Sequence, residues 1–205
     1  MILFGDAEST GLNPYMSEII EAYFELHDKG EVVSTYHFKS KVNNWSDEAA
    51  EIHGITKEEM LTYPDKKIAW DNFLLWLPDE FDFACYVNTN TALGNLWYDV
   101  VLIQMELMDH LNVNRPEHTP FNPDNKINVY DISKQSSKKS LFKPLKRLET
   151  NRDDLSLSGV YKAMYGVDFD AHNAKDDVKA MIKIYYDLLD ADENKIVIRD
   201  QLSLL

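Results

Sequence analysis

The chain has 205 residues, of which 44% are hydrophobic and 27% charged, and its formal net charge at pH 7 is -14. This length and composition exclude a fibrous or disordered chain and suit a single folded domain with one core, so we predict one domain over residues 1–205. The acidic balance argues against a polyanionic partner held by a uniformly basic surface.

The cysteine usage and the hydropathy pattern predict the setting of the protein. Cys85 is the only cysteine of the chain and cannot form an internal disulfide, which favours a reducing, intracellular and cytoplasmic location. Asp6 interrupts the apolar start, so no secretion signal is expected. No apolar stretch is long enough to span a bilayer, which predicts a soluble protein with no membrane partner. Nothing in the pattern indicates an oligomeric state.

The first predicted strand leads into the stretch "LFGDAESTGLNPY", which holds two acids, Asp6 and Glu8. Residues two apart on a strand point to the same face, so both carboxylates would converge on one place. Two like charges held so close require a cation, or one of them must take up a proton. The alternative is an acidic turn after a strand, because two acids at this spacing are common.

The chain then alternates between strands and helices. Two β-rich runs, "EIIEAYFELH" and "EVVSTYHFKSKV", are separated by Asp28-Lys29-Gly30, which predicts a hairpin and, with the first strand, three antiparallel strands. A stripe at helical spacing follows at Trp70, Phe73, Leu74 and Leu77. The nearly continuous apolar run "FDFACYV" predicts a strand covered on both faces.

The second half predicts one more strand and three helices. A helix carries Leu96, Val100, Ile103, Leu107 and Leu111 on one side, a proline-rich loop follows, and "INVYDI" is the last predicted strand. Two helices are expected near 155–165 and 176–190. The last has a predicted buried face made of Val178, Met181, Ile182, Tyr185 and Leu189. This order predicts one α/β domain with a mixed sheet.

Two further acids stand at the starts of predicted helices. Asp99 precedes Val100, and Asn95 lies four residues before it. Asp177 opens the last helix, and His172 lies in the loop that leads into it. Each acid alone fits a solvated first-turn residue or a helix cap. Together with Asp6 and Glu8 they supply four carboxylates and one histidine, the set that two hard divalent cations and a general base require.

Three stretches together resemble the motifs of the DEDDh family of 3'→5' exonucleases. These stretches are "FGDAESTGL", "GNLWYD" and "HNAKDD", and "EIHGIT" resembles the loop that these enzymes place near the 3' end of the substrate. The matching positions are Asp6 and Glu8 in the first motif, Asn95, Tyr98 and Asp99 in the second, and His172, Ala174 and Asp177 in the third. Asn173 stands where the tyrosine-type branch of the superfamily has its tyrosine, which disfavours that branch.

The resemblance implies a ribonuclease-H-like fold, with three antiparallel strands followed by parallel strands and helices packed on both faces. It implies two Mg²⁺ or Mn²⁺ ions held by Asp6, Glu8, Asp99 and Asp177, and His172 as general base, so that these five residues are the predicted catalytic set. Oxygen ligands suit these ions better than zinc. Ser9 and Gly94 depart from the usual Thr and His of the family, and neither is a ligand position.

The resemblance also implies where the substrate lies. The predicted substrate-binding residues are Ser9, Thr10, Gly11, Leu12, Ile52, His53, Asn95 and Tyr98. Apolar side chains that stack on bases tolerate any sequence, so we expect a non-specific enzyme acting on a single-stranded DNA or RNA 3' end, with DNA favoured. The alternative for Leu12 and Ile52 is an ordinary place in the core.

Two other functions stay open at this point. One keeps the chemistry on RNA, and the other is a non-catalytic binding module, such as a polymerase-associated subunit, on the same fold. A basic segment, residues 134–152, holds seven basic residues and one acid, Glu149. It is a candidate strip for contacts with substrate phosphates, and the alternative is a solvated loop.

Overall fold

The computed structural model describes residues 1–86, 98–115, 118–121, 129–131 and 156–193. The strands are β1 (Ile2–Ser9), β2 (Ile19–Asp28), β3 (Glu31–Lys39), β4 (Asp82–Cys85) and β5 (Val129–Asp131). The helices are α1 (Asp47–His53), α2 (Lys57–Met60), α3 (Lys66–Trp76), α4 (Tyr98–His110), α5 (Leu157–Tyr165) and α6 (Ala174–Glu193).

The strands form one mixed sheet in the order β3-β2-β1-β4-β5. β1 pairs antiparallel with β2, and β2 with β3, whereas β4 runs parallel to both β1 and β5. The predicted hairpin is present, because Lys29 and Gly30 both take positive φ, 50° and 88°, as a two-residue turn between right-twisted strands requires. The mixed sheet predicted from the sequence is confirmed.

Helices cover both faces of the sheet, as predicted. On one face Leu3 and Phe24 pack with α3 and α4 through residues such as Phe73 and Leu107. Phe73 is fully buried between the rings of Phe24 and Trp70, so truncating it to Ala should cost about 3–5 kcal/mol of folding free energy. This layer therefore anchors the sheet from one side.

On the opposite face Phe4, Tyr23 and Ala84 pack with α5 and α6. Val178, Met181 and Tyr185 are buried as predicted, but Leu189 is 37% exposed and Ile184 is buried instead. Tyr186 already lies beside the hairpin turn, 4.0 Å from an ideal Cβ at Gly30, so Leu189, one helical turn later, passes the end of the hairpin. The prediction for Leu189 was wrong for this reason.

Gly5 allows aromatic rings from β2 and β4 to pack over the central strand on the face that α3 and α4 cover. An ideal Cβ at Gly5 would lie 2.7 Å from the ring of Phe24 and 2.8 Å from the ring of Phe83. Both rings are buried in the core, and neither has open space to move into. Gly5 therefore sits next to Asp6 in a place that accepts no side chain.

Among the described residues, no helix combines the length and the apolar character needed to cross a membrane.

Candidate active site

β1 brings Asp6 and Glu8 to the face of the sheet that α6 covers. Phe4, two residues before Asp6, packs against α6, and the side chains of alternate residues share a face. Asp6 is paired with Tyr23 and Glu8 with Glu21 on β2, and the register shifts by a bulge between Glu8 and Ser9. The two carboxylates therefore project together just before the strand changes course.

α6 brings Asp177 to the same place. The Asn173 side chain accepts hydrogen bonds from the N–H groups of Lys175 (3.2 Å) and Asp176 (3.3 Å), so Asn173 caps the helix and Asp177 lies in its first turn. Asp6, Glu8 and Asp177 each offer a carboxylate oxygen, and these three oxygens lie within 4.8 Å of one another. Residues far apart in sequence thus meet over the end of β1.

Asp99 completes what we call the acidic cluster, the carboxylates of Asp6, Glu8, Asp99 and Asp177. It lies in the first turn of α4, and only 8% of it is exposed. The backbone N–H groups of Asp99 itself and of Ala7 stabilise its carboxylate, which ties the start of α4 to β1. The four acids predicted from three separate motifs are therefore brought together.

The charges of the acidic cluster are not neutralised by the described part of the protein. Burial raises the pKa of Glu8 to about 8 and those of Asp99 and Asp177 to about 7. Repulsion adds to the effect, from other acids of the cluster at Glu8 and Asp99 and from Asp176 and Asp170 at Asp177. Burial and repulsion by Asp99, Asp177 and Glu8 also raise the pKa of Asp6 well above its ordinary value. Among the residues that the structure describes, no lysine or arginine forms an ion pair with any of the four.

This donor set fits divalent cations. The Oδ1 atom of Asp177 is buried and has no hydrogen-bond partner among the described atoms, which is the state of an oxygen that awaits a ligand. Hard oxygen ligands at this density suit Mg²⁺ or Mn²⁺. The cation chemistry predicted from the sequence is supported by the geometry of these carboxylates.

His172 lies at the rim of the acidic cluster. Its side chain is exposed, and its backbone takes a left-handed conformation with φ 69°. Its N–H donates to Oδ2 of Asp177 over 3.2 Å, so the histidine is tied to the carboxylate it accompanies in the sequence motif. A proton acceptor at the rim has access to solvent, as a general base needs.

The loop after β1 is held by the predicted second motif. The Tyr98 hydroxyl donates to the carbonyl of Gly11 and lies 2.7 Å from the Ser9 hydroxyl. Thr10 is buried, and its hydroxyl accepts the N–H of Glu18 at 3.0 Å, which places it beneath the loop. Leu12 is 80% exposed, which excludes the interpretation of this residue as part of the core.

α1 carries the other predicted substrate contacts. Ile52 is 54% exposed, so a core role is excluded for it as well. The Nδ1 atom of His53 accepts the N–H of Ile55 at 3.1 Å, whereas its Nε2 is buried and has no described partner. Burial lowers the pKa of His53, although Glu21 opposes this shift. The lowered pKa favours the neutral ring, which has one nitrogen without a described partner.

Asn95 and the basic segment 134–152 lie outside the described residues.

Glu21 is a site residue that the sequence analysis missed. It is buried opposite Glu8, and the pKa of Glu21 is lowered because hydrogen bonds and charges from His37 and Lys39 outweigh the opposing effect of burial. The sequence held a signal for Glu21. Polar residues alternate with apolar ones along β2, so Glu21, Tyr23, Glu25 and His27 must share a face.

A mixed sheet of this order, with carboxylates gathered over the end of its central strand, has the architecture of the ribonuclease-H-like class. The family model RNase T, described as exonuclease, matches residues 3–185. The chain therefore belongs to this exonuclease family, and the DEDDh resemblance is confirmed. A comparison with curated protein sequences finds no match.

Solved structures of exonuclease I have the same fold. A zinc-bound complex of the Escherichia coli enzyme with single-stranded DNA has a TM-score of 0.67 and 18% identity over 98% of this chain and 42% of that one. A moderately thermophilic exonuclease I from Methylocaldum szegediense has a TM-score of 0.67 and 18% identity, over 96% of this chain and 41% of that one. The Escherichia coli enzyme in complex with a dT13 oligonucleotide has a TM-score of 0.65 and 20% identity, over 90% of this chain and 40% of that one. The chain thus spans about two fifths of the length of these proteins.

Proposed function

We propose that this protein is a metal-dependent 3'→5' exonuclease that releases nucleoside monophosphates from single-stranded 3' ends, with DNA favoured over RNA. The observation that carries the proposal is the acidic cluster, in which the buried Asp99 and three half-buried carboxylates meet without a described cationic partner. Membership of the exonuclease family supports the reaction, and the single-stranded DNA bound by the exonuclease I structures supports the substrate. The single buried cysteine supports an intracellular location.

Asp6, Glu8, Asp99 and Asp177 would hold the cations. Bound there, two divalent ions supply positive charge that favours loss of a proton from water and stabilises the departing 3' oxygen. His172 takes the proton of the attacking water, because a neutral imidazole carries a nitrogen that accepts a proton and the side chain is exposed at the rim. The left-handed backbone of His172 and its hydrogen bond to Asp177 hold the ring beside the cluster.

The exposed side chains of Leu12 and Ile52 would hold the terminal nucleotides. Apolar surface that stacks on bases binds without regard to sequence. The Nε2 atom of His53, which has no described partner, would add a polar contact from α1, and the Tyr98 hydroxyl keeps the Leu12 loop in place through its hydrogen bond to Gly11. The side chains that bind and those that react therefore come from separate elements around one strand end.

The test uses 5'-labelled single strands of DNA and RNA of identical sequence, with free or blocked 3' ends, in Mg²⁺, Mn²⁺ or EDTA. A descending ladder from the free 3' end that EDTA abolishes is expected, with DNA cut faster. Asp99→Asn should remove the ladder, and Asp168→Asn should keep it, because Asp168 is an exposed carboxylate paired only with Lys162 among the described residues. Equal or faster cutting of RNA would make the protein an exoribonuclease, and internal cuts would overturn the proposal.

A further inference from the structure

Glu18 is buried at the end of the loop that follows β1, and it contacts two segments that the proposed function assigns to substrate binding. Only 8% of Glu18 is exposed. Its backbone N–H donates to the Thr10 hydroxyl (3.0 Å), and its carbonyl accepts the N–H of Thr10 (3.0 Å). These two bonds close the base of the loop that carries Leu12.

The carboxylate of Glu18 reaches the second segment. Its Oε2 accepts the backbone N–H groups of Asn43 (2.9 Å) and Asn44 (2.7 Å). The chain then enters α1 at Ser46, whose hydroxyl accepts the N–H of Ala49 and caps the helix that carries Ile52 and His53. One side chain therefore fixes the entry to α1 against the loop after β1.

A lysine holds the Glu18 carboxylate in this position. Lys66 of α3 lies 2.6 Å from Oε1 of Glu18 and 3.1 Å from Oε1 of Glu106, and Glu106 in turn accepts the N–H of Ile19 (3.0 Å) and the indole N–H of Trp70 (2.9 Å). Burial opposes ionisation of Glu18, but Lys66 and the two backbone donors outweigh it and lower its pKa. The charge is thus kept at the pH where the enzyme works.

These contacts have a geometric consequence. Packing of Trp45 against the buried cluster that contains Ile20 also ties this segment to β2. The Glu18 carboxylate adds a polar contact, because one of its oxygens accepts two successive backbone N–H groups, an arrangement that binds anions. Leu12 and Ile52 are exposed and belong to the two segments that Glu18 joins, so their separation depends on how these segments are joined. We propose that Glu18 is a positioning residue, which sets the spacing between the Leu12 loop and α1 and thereby the grip on the 3' end.

This inference rests on the proposed function for its kinetic consequence. Glu18→Ala should raise KM for a single-stranded 12-mer by about 10-fold or more, with kcat changed less than about 3-fold, because the loss is in binding geometry and the acidic cluster is untouched. Hydrolysis of bis(4-nitrophenyl) phosphate, a phosphodiester without bases, should stay within about 2-fold of wild type. Glu18→Gln should have a KM between those of wild type and Glu18→Ala, because its carbonyl still accepts the two N–H groups but its amide faces Lys66.

The matched control is Glu106→Gln, which disturbs the same lysine and leaves the bonds to Asn43 and Asn44 in place. If the contacts of Lys66 with Glu18 and Glu106 contributed only to stability, Glu18→Gln and Glu106→Gln would give the same KM. A double-mutant cycle with Ile52→Ala adds a second readout, since the KM effects of Glu18→Ala and Ile52→Ala should be strongly non-additive if Glu18 acts through α1. Additive effects, or a KM rise in Glu106→Gln equal to that in Glu18→Gln, would overturn the inference.

Hydrogen exchange separates this inference from the proposed function. In Glu18→Ala and Glu18→Gln, the amides of 43–53 should exchange faster, by about 10-fold or more, while those of β1 and β2 keep their rates. Unchanged exchange in 43–53 would refute the positioning role even in an active enzyme. If wild type cuts no oligonucleotide, the proposed function fails, and the exchange result still decides whether Glu18 fixes the two segments.

Discussion

Asp6 and Glu8 of the acidic cluster share a face of the sheet with the carboxylate of Glu25, yet the two sites have opposite electrostatic characters. In the acidic cluster the pKa values of all four acids are raised by burial and by repulsion. Further along β2, Glu25 is 1% exposed, yet its pKa is lowered, because hydrogen bonds from Lys179 and His27 outweigh its burial. We call Glu25, His27 and Lys179 the Glu25 cluster.

The difference shows that burial alone does not identify a ligand site. His27 lies 2.9 Å from Glu25 Oε1, Lys179 donates to Oε2, and Tyr186 completes the group with a 2.9 Å bond to His27. Lys179 supplies the positive charge that offsets Glu25, so the Glu25 cluster requires no bound cation. The acidic cluster has no such partner among the described residues, so a bound cation or added protons must offset the repulsion between its carboxylates.

The largest effect is expected from a substitution within the acidic cluster. Asp99→Ala removes one of the four carboxylates that would hold the cations. Turnover should therefore fall by more than about 10⁴-fold, which exceeds the loss expected when a general base is removed. Calorimetric titration should show weakened Mn²⁺ binding. Glu25→Gln is the matched control, because it alters an equally buried acid and should leave the Mn²⁺ titration unchanged. Wild-type affinity in Asp99→Ala would remove the acidic cluster as the cation site.

The next effect separates the ligands from the base. His172→Ala keeps all four carboxylates and removes the proton acceptor, so turnover should fall by roughly 10²–10⁴-fold while Mn²⁺ affinity is retained. Raising the pH should partly restore turnover, because more of the attacking water is then already deprotonated, and Asp99→Ala should not respond in this way. A histidine variant with activity near wild type would show that His172 is not the base.

Neutralising one acid in each cluster should change stability in opposite directions. In EDTA at pH 8, Glu8→Gln relieves repulsion and should raise the free energy of unfolding by about 2 kcal/mol, given its raised pKa. Glu25→Gln leaves Lys179 without its full partner and should lower it by about 1–3 kcal/mol. Urea denaturation followed by circular dichroism measures both. Equal signs would mean that the two clusters do not differ as described.

The pH dependence of stability sharpens the same comparison. A carboxyl whose pKa is higher in the folded protein than in the unfolded chain stabilises the fold while protonated, and this contribution is lost as the pH rises through the folded value. In EDTA, stability should therefore fall between about pH 4.5 and 8, the window set by Glu8. Added Mn²⁺ should raise the melting temperature more at pH 8 than at pH 6, since the ionised acids are its ligands. Equal shifts at both pH values would contradict this.

The smallest expected effect concerns the basic segment, which contrasts with the acidic cluster in the sign of its charge. If Lys138, Lys139, Lys143, Lys146 and Arg147 contact the strand, neutralising them should weaken binding of long substrates and reduce the salt dependence, by a slope of about 0.7 per lost contact. Dinucleotide cleavage should be unaffected. Fluorescence anisotropy over a range of salt concentrations measures the slope, and an unchanged slope favours a solvated loop.

The sequence predicted features that depend on local pattern or on a spaced motif. The hairpin at Lys29-Gly30 follows from turn chemistry, and α3 follows from the helical spacing of Trp70 and Phe73. The meeting of Asp6, Asp99 and Asp177 followed from the family motifs and not from periodicity.

What the sequence did not predict depends on contacts between distant residues. Lys179 meets Glu25 across 154 positions, and Lys66 meets Glu18 across 48, so no local period marks either pair. Lysines on the surface of a predicted helix have the same pattern whether they are solvated or paired, and only packing distinguishes the two. The cap of α6 was missed for a related reason, since Asn173 was compared with a family position and not considered as a helix start.

Gly5 has a consequence for how this sequence can drift over generations. Its place between the rings of Phe24 and Phe83 leaves no room even for a methyl group, and its neighbour in the strand is Asp6. Any replacement must displace an aromatic ring of the core or shift the strand, and a shifted strand carries Asp6 with it. A substitution at Gly5 would therefore disturb the packing of the core and the position of Asp6 together, so the requirements of folding and of the acidic cluster constrain this position jointly.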